Sequence, residues 1–451
     1  MNGNAMRPRL SVIGLGKLGA PMAAVFGAKG FEVIGLDLNP AFVAAINDGR
    51  APVQEPLLQD YLDRARGHLR ATMDYHEATT SSDISFIIVP TPSGPDQMFT
   101  NRFVVDAVER IGPALRAKSS YHVVVVTSTV MPGSTDGEIR TALERASGRI
   151  VGQDVGLCYS PEFIALGSVV RDVLFPDLIL IGESDKRAGD MLEAVYGTSV
   201  ESKPEVHRMS LVNAELYKIS VNTFVTTKIS YANMIGEMCD HLPGADAEVV
   251  TRAVGADSRI GRKYLKPAVG YGGPCFPRDN KAFIALGRKL GVNTDLAEAT
   301  DRINNHQLER LIGAVSACAD PGHTVAVLGL SYKPDTAVVE ESQGIALAVA
   351  LAALGYRVRA FDPLANAAAA AVLGNHAEVT ESAEAALADA AVVVVTTAWP
   401  QFQHLDFTRC GVGAVVDPWG VVPREGSSGL RLVRLGRGDW RRETTPRHAA
   451  A

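Results

Sequence analysis

Arg9-Leu10-Ser11-Val12-Ile13-Gly14-Leu15-Gly16-Lys17-Leu18-Gly19, then an alanine-rich run to Ala28, then Gly30-Phe31-Glu32-Val33-Ile34-Gly35-Leu36-Asp37, decides the fold. Residues 9–13 read as a buried strand and 20–28 as a helix that Gly30 ends. Residues 31–37 read as a second strand. Strand, glycine turn, helix and strand in that order open a doubly wound α/β fold. Gly14 allows the tight bend, Gly16 lets backbone N–H groups approach a pyrophosphate, and Gly19 lets the helix pack on the strand. Leu15, Lys17 and Leu18 complete the turn. Asp37, at the end of the second strand, would accept hydrogen bonds from an adenosine ribose and repel a 2′-phosphate, which favours NAD over NADP.

The pattern continues outward from this opening. Apolar runs at 84–89, 122–127 and 178–181 read as further strands, and their unbroken hydrophobicity predicts parallel strands covered on both faces. Across 210–241, Leu211, Glu215, Leu216, Ile219, Val221, Phe224 and Ile229 predict one long helix. More helical sequence follows to about 315. The opening theme then returns, with a strand at 324–328, a helix at 342–354 and a strand at 356–362. Gly355-Tyr356-Arg357-Val358-Arg359-Ala360-Phe361-Asp362 matches Gly30 to Asp37 in pattern. The expected architecture is therefore α/β, with two Rossmann-like doubly wound domains joined by a long central helix and a helical middle domain. The boundaries read as 1–208, 209–315 and 316–437, with a polar tail at 438–451. The second α/β domain lacks the full glycine pattern, so a nucleotide ligand other than a second NAD is expected there.

The chain has 451 residues, 47% apolar and 21% charged, enough for several buried cores, and a net charge of −6. That balance gives no electrostatic reason to expect nucleic acid or an acidic membrane as partner. Cys158, Cys239, Cys275, Cys318 and Cys410 are scattered and odd in number, without CxxC spacing. This argues against a zinc site or disulfide framework and for a reducing, cytoplasmic compartment. No histidine pair has ligand spacing, so no metal is expected. The start of the chain lacks the apolar run of a signal peptide, and no run is long enough for a transmembrane helix.

The chemistry concentrates in Gly270-Tyr271-Gly272-Gly273-Pro274-Cys275-Phe276-Pro277-Arg278-Asp279. Cys275 reads as the entry to a helix, where the dipole favours the thiolate and makes it nucleophilic. Asp279 lies one turn later. On the long helix Lys218 and Asn222 share a face. A buried ammonium stabilises a developing oxyanion, although a solvated helix face is the ordinary reading of such a pair. Glu162, after a strand-like segment, is either a base or a helix-start carboxylate. Thr91-Pro92 and Ser128-Thr129-Val130 follow strands and fall where a ligand of the first domain would lie. Arg437, Arg441 and Arg442 are further candidates for an anionic ligand.

In this set of motifs the chain resembles the UDP-glucose/GDP-mannose dehydrogenases. The landmarks are the glycine turn, Val89-Pro90-Thr91-Pro92, Ser128-Thr129-Val130, Pro161-Glu162-Phe163 with Phe175-Pro176-Asp177, and Ala214-Glu215-Leu216-Tyr217-Lys218 with Asn222. Asp257-Ser258-Arg259-Ile260-Gly261, the Gly-Tyr-Gly-Gly-Pro-Cys segment and Gly329-Leu330-Ser331-Tyr332-Lys333 complete them. The resemblance implies a four-electron oxidation of a sugar C6 alcohol through a Cys275 thiohemiacetal and thioester. It gives Lys218 the oxyanion, Asn222 and Asp279 its support and the hydrolytic water, and Glu162 proton transfer with Thr129. Gly14 to Gly19, Asp37, Thr91, Pro92, Ser128, Thr129 and Arg278 would hold NAD. Glu162, Phe163, Ile164, Lys218, Asn222, Tyr264, Leu265, Lys266, Gly272, Tyr332 and Lys333 would contact the substrate, which the C-terminal domain holds by its nucleoside diphosphate. Arg259 would reach the substrate of a neighbouring subunit, so a dimer through the central helices is implied.

The sugar itself is not legible; UDP-glucose ranks first, ahead of N-acetylated UDP-hexosamines and GDP-mannose. Three positions depart from the resembled pattern: Phe42 for a basic residue after Asp37, Leu166 for a glutamate that touches the cofactor, and Glu340 for an arginine near its phosphates. They motivate a reading in which the protein binds nucleotide sugars without catalysis. Cys275, Lys218, Asn222 and Asp279 argue against it. A 3-hydroxyacid dehydrogenase shares the glycine turn and the Lys-x-x-x-Asn pair, but Cys275 and the second α/β domain argue for the longer reaction.

Overall fold

A computed structural model describes residues 7–408, 412–423 and 430–438. Cys410, Arg441 and Arg442 lie outside the described residues, as does the polar tail beyond Gly438. The chain forms two compact units, Met1–Ser220 and Val221–Ala451, and the division falls inside the helix Leu211–His241. That helix has 31 residues, a rod of about 45 Å at 1.5 Å per residue. None of the described helices is long and apolar enough to cross a membrane.

In the first unit the strands are β1 (Leu10–Ile13), β2 (Val33–Leu36), β3 (Leu69–Thr72), β4 (Ile84–Ile87), β5 (His122–Val126), β6 (Val155–Tyr159), β7 (Leu178–Glu183) and β8 (Glu205–Met209). They form one sheet in the order β3-β2-β1-β4-β5-β6-β7-β8. β1 sits between β2 and β4, with Leu10 opposite both Val33 and Ile84. Its four residues are all buried because helices cover both faces. The helix Gly19–Ala28 is buried from Gly19 to Gly27, which explains why it shows no polar stripe. The strand order reverses between β1 and β4, and the glycine turn lies at that switch point, where such folds bind ligands.

The expectation of uniformly parallel strands fails at one pair. β7 runs antiparallel to β6, with Cys158 opposite Glu183, while β8 pairs parallel to β7. A buried apolar run carries no information about strand direction; the segment between β6 and β7, with its helix Val169–Leu174, sets it. A second departure lies inside the sheet. Ser11, Ser85 and His122 are buried on three adjacent strands and joined by hydrogen bonds of 2.7 and 2.9 Å. Lys118 reaches His122 at 3.0 Å and also donates to the Ser82 carbonyl. Burial, helped by the Lys118 charge, pushes His122 down to about 3, so the ring is neutral and its row of polar groups is satisfied without a net charge.

In the second unit β9 (Thr324–Leu328), β10 (Arg357–Phe361), β11 (Glu378–Val379), β12 (Ala390–Val395), β13 (Ala414–Val416) and β14 (Arg431–Val433) form a sheet ordered β11-β10-β9-β12-β13-β14. All its pairs are parallel. This is the same doubly wound order that the repeat of the Gly30–Asp37 pattern predicts. The helices Phe276–Leu290 and Asp295–Ser316 precede this sheet in the chain. Arg310 of the second pairs with Asp240 of the long helix at 2.6 Å, both almost wholly buried. The other Asp240 oxygen accepts from the Gly436 backbone at 2.6 Å, so one carboxylate pins the long helix to the chain's return.

Candidate active site

The cofactor turn follows from β1. Gly14 has φ +100°, and a Cβ there would lie 2.2 Å from the Ile88 carbonyl oxygen; only glycine permits that bend. A Cβ on Gly19 would lie 1.8 Å from the Gly14 oxygen, so helix and turn meet backbone to backbone. Gly16 differs, since an added Cβ would meet nothing within 4 Å. The protein's own packing does not need that glycine, and the open space suits a ligand phosphate. Leu15 is buried and Leu18 packs on the core, while Lys17 is exposed. Asp37 accepts from the Leu15 backbone at 2.7 Å and from Asn39 at 2.8 Å, which aims its part-exposed carboxylate beside the turn. These residues fit NAD.

The loops after β4 and β5 are stitched together. Thr91 donates to the Thr129 carbonyl at 2.7 Å. Ser128 accepts from the Val89 N–H at 2.9 Å and donates to its carbonyl at 2.7 Å, so its hydroxyl is engaged in fixing the loop. Pro92 is exposed and Thr129 half-buried. Phe42 and Leu166 pack against the first hydrophobic core, so both departures from the resembled pattern have a packing role here.

Glu162 follows β6. Its carboxyl lies against Tyr196, whose hydroxyl donates at 3.3 Å. Burial pushes Glu162 up to about 7, against the pull of the Tyr196 hydrogen bond and the Lys218 charge. A carboxyl held in that range can exchange protons near neutrality. Lys218 donates to the Glu162 carbonyl at 2.6 Å and lies 4.5 Å from the centre of the Phe163 ring. Phe163 also meets Tyr217 edge-on at 5.8 Å. Ile164 packs on the first core. Lys218, Glu162 and Phe163 thus form one cluster, while Asn222 lies one turn along the helix from Lys218, in the second unit.

Within the second unit, Asn222 donates to Asp279 at 2.6 Å, and both are buried. Arg278 lies 3.5 Å from the other Asp279 oxygen. Cys275 is the N-cap of the helix Phe276–Leu290 and is exposed; its carbonyl accepts from the Asp279 N–H at 2.8 Å. The turn before it is clamped. Asn304 accepts from the Tyr271 N–H at 2.7 Å and donates to its carbonyl at 3.1 Å. The Tyr271 hydroxyl donates to Asp301 at 2.8 Å. On the other side Gly273 donates to the Glu340 carbonyl at 3.0 Å, and a Cβ on Gly272 would lie 2.2 Å from the Glu341 oxygen. Glu341 itself has φ +50°, a strained value for a residue with a side chain. The Tyr332 ring packs against Gly273, and Lys333 is half-buried.

The remaining expected substrate residues are spread along this unit. Tyr264 is exposed at φ +63°, with its ring against Phe276, while Leu265 is buried. Lys266 reaches the Trp419 carbonyl at 3.4 Å. Arg259 is exposed and held by Asp257 at 2.6 Å. Arg437 pairs with Asp246 at 3.0 Å. No group of three or more His, Cys, Asp or Glu able to hold a metal ion occurs among the described residues.

Sequence reasoning missed three supports. Glu215, wholly buried, accepts from Gly133 at 2.5 Å and Thr135 at 2.7 Å and so ties the Lys218 helix to the loop that follows Thr129. Its only signal is a carboxylate on the buried face of the helix. Glu55 accepts from Gly167 at 2.9 Å and Val169 at 2.8 Å and holds the segment that carries Glu162. Tyr196 reads in the sequence as one more apolar position of a helix.

Three family models match the chain: the NAD binding domain of the UDP-glucose/GDP-mannose dehydrogenase family over 8–200, its central domain over 212–306 and its UDP binding domain over 326–423. A UDP-glucose 6-dehydrogenase, AglM, of Haloferax volcanii is 37% identical over 92% of this chain and 97% of its own. A GDP-mannose 6-dehydrogenase of Pseudomonas aeruginosa is 34% identical over 83% of this chain and 85% of its own. The solved structure of a UDP-glucose dehydrogenase from the archaeon Pyrobaculum islandicum superposes with a TM-score of 0.89 at 35% identity, covering 97% of this chain and 99% of that one.

Proposed function

Since the chain belongs to the UDP-glucose/GDP-mannose dehydrogenase family and is an NAD-dependent nucleotide-sugar 6-dehydrogenase, we propose that it oxidises UDP-glucose to UDP-glucuronate through a thioester on Cys275. The observation that carries the covalent reading is the Cys275 turn: a thiol at a helix N-terminus, after a turn whose Tyr271 is held by Asn304 and whose Gly272 and Gly273 lie against the 340–341 backbone. Bound NAD supplies the hydride acceptor for each of two oxidations. Glu162, with Thr129, takes the proton of the C6 alcohol as it becomes an aldehyde. The Cys275 thiolate adds to that aldehyde, and Lys218 stabilises the resulting oxyanion. Loss of a second hydride leaves a thioester, and water held by Asn222 and Asp279 cleaves it to the acid and the free thiol. Alcohol, water and two NAD+ are consumed; acid, two NADH and two protons are formed.

UDP-glucose is supported by similarity to the UDP-glucose 6-dehydrogenase across nearly the whole chain and by the match to a UDP binding domain. GDP-mannose is the second reading, supported by the 34% identical relative. We keep the three-part division at 1–208, 209–315 and 316–437, which the three family matches favour. A homodimer is favoured by Phe224, Tyr231 and Met238, exposed on the long helix at a spacing of seven that keeps them on one stripe. The exposed Cys275 thiol suits a reducing cytoplasm.

The test is NADH counted against limiting UDP-glucose, GDP-mannose and UDP-N-acetylhexosamines. Two NADH per UDP-glucose, with little free aldehyde, is expected. One NADH with aldehyde accumulating points to a simple dehydrogenase, and none with any sugar points to a silent binding protein. Cys275→Ser should slow acid formation by orders of magnitude while sparing NAD affinity.

A further inference from the structure

Beyond Glu162 the first unit carries a buried line of hydroxyls that the reaction above does not use. Tyr196, on the helix Lys186–Ser199, lies 3.3 Å from Glu162 Oε1 and 2.8 Å from Ser160 Oγ. Ser160, directly after β6, lies 2.9 Å from the carbonyl oxygen of Leu180 on β7. Ser160 and Tyr196 are both buried. We propose that Tyr196 and Ser160 are positioning residues for Glu162, forming a hydroxyl relay whose direction reverses each time Glu162 gains or loses its proton. The proposal rests on the reading of Glu162 as the proton-transfer group.

Counting hydrogens gives the relay its direction. Each hydroxyl has one hydrogen to donate. When Glu162 is protonated, the line runs Glu162 to Tyr196 to Ser160 to the Leu180 carbonyl, and three hydrogens make three bonds. When Glu162 is ionised, two hydrogens serve three contacts: Tyr196 turns to donate to the carboxylate, Ser160 donates either to Tyr196 or to the Leu180 carbonyl, and one bond is given up. The protonated state thus holds one more bond, and the ionised state holds a charge-assisted one. The carbonyl at the far end is what competes with Glu162 for hydrogens. The two hydroxyls turn without any backbone movement, so the carboxyl finds a partner in either protonation state of the catalytic cycle.

Lys218 and Cys158 also act on this line. Lys218, from the long helix, acts on Glu162 by its charge. The Cys158 thiol of β6 faces Tyr196, and burial holds that thiol far above its usual range, so it stays neutral.

Ser160→Ala removes the competing acceptor. In that variant the Tyr196 hydrogen has Glu162 as its acceptor in this line, and the carboxylate is favoured. Glu162 should then titrate lower by roughly half to one pH unit. In a Tyr196→Phe background the same Ser160→Ala change should have no effect, because Ser160 acts only through the Tyr196 hydroxyl. The carboxyl is followed by infrared titration of its C=O stretch, with Glu162→Gln identifying the band, and by the ascending limb of kcat/KM against pH. A downward shift with Ser160→Ala that vanishes in the Tyr196→Phe background supports the relay. An unmoved or raised titration with Ser160→Ala overturns it, as does a shift that persists without the Tyr196 hydroxyl. If Tyr196→Phe does not fold, the sign with Ser160→Ala decides alone. Failure of the underlying reading is seen separately: a pH limb that survives in Glu162→Gln shows that another group carries the proton, whatever the infrared titration gives.

Discussion

Replacing Gly272 by alanine would place a methyl group 2.2 Å from the carbonyl oxygen of Glu341. That is roughly 1 Å or more inside ordinary contact distance, and the obstacle is backbone, which cannot rotate away as a side chain does. Two responses are open. The 340–341 segment can withdraw, which breaks the 3.0 Å bond from Gly273 to Glu340 and leaves a buried N–H without that acceptor. Such a loss costs about 1–3 kcal/mol, or roughly 3–10 °C in melting temperature for a unit of this size. Alternatively the Cys275 turn moves by about 1 Å, and misplacement on that scale costs on the order of 100-fold in rate. Asn304 and Asp301 hold the turn from the other side, and Glu341 already sits at φ +50°, so neither partner has slack. Gly272→Ala should therefore lower both the melting temperature and the rate of NADH formation at saturating substrate, with NAD affinity unchanged. Gly16→Ala is the contrasting variant, because its Cβ would meet nothing within 4 Å. It should melt as the parent does and lose NAD affinity by about tenfold or more, if a pyrophosphate lies there. Calorimetry, steady-state NADH absorbance and fluorescence titration with NAD separate the two signatures. A Gly272→Ala protein with parental turnover and melting temperature would refute the idea that the Glu341 backbone sets the position of Cys275.

Glu162 should make stability depend on pH with a definite sign. Its folded value of about 7 exceeds the ordinary 4.5, so its contribution is present below 4.5 and is lost as pH rises through 7. Glu162→Gln should gain on the parent by about 3 kcal/mol across that window in urea unfolding, and a constant difference from pH 4 to 8 would contradict the burial argument. Asp240→Ala strands Arg310 in the interior and frees the Gly436 N–H, so it should cost about 3–5 kcal/mol, read as a fall in the denaturation midpoint; a loss below 1 kcal/mol would show that water reaches the site. Glu340 is exposed, and its tie to Gly273 is through the backbone, so exchange of its side chain spares that bond. Glu340→Arg should tighten NAD binding by about 1 kcal/mol, less at high salt; unchanged affinity would place that side chain away from the cofactor.

Local chemistry made much of this legible before the structure. Gly14, Gly16 and Gly19 act within one turn, Asp37 follows directly from β2, and Cys275 caps the helix it was expected to enter. These depend on residues a few positions apart. The reversed direction of β7 was hidden because a run of Leu and Ile looks the same from either end. His122 reads as a polar strand edge and is buried only because Ser85 and Lys118 satisfy it from other elements. Glu215 and Glu55 act on backbone far away in sequence, and Tyr196 is indistinguishable from a core aromatic until its hydroxyl is placed beside Glu162. The C-terminal sheet was found through its repeat of the first, but the repeat did not reveal how its aspartate is used.

Asp362 is the positional twin of Asp37, yet its surroundings differ. It is 1% exposed and takes six hydrogen bonds, from the backbones of Leu330, Ser331, Leu364 and Ala365, the Ser331 hydroxyl and the Trp399 indole. Where Asp37 leaves its carboxylate part-exposed beside the glycine turn, Asp362 is the keystone of an arch. An engineer who grafted a glycine-rich phosphate turn onto residues 329–334 would find the acid it needs walled in, and prising it loose would drop the voussoirs around it. A point substitution in that turn would not free the carboxylate for a ribose, and a nucleotide bound to this sheet would be gripped from outside that arch.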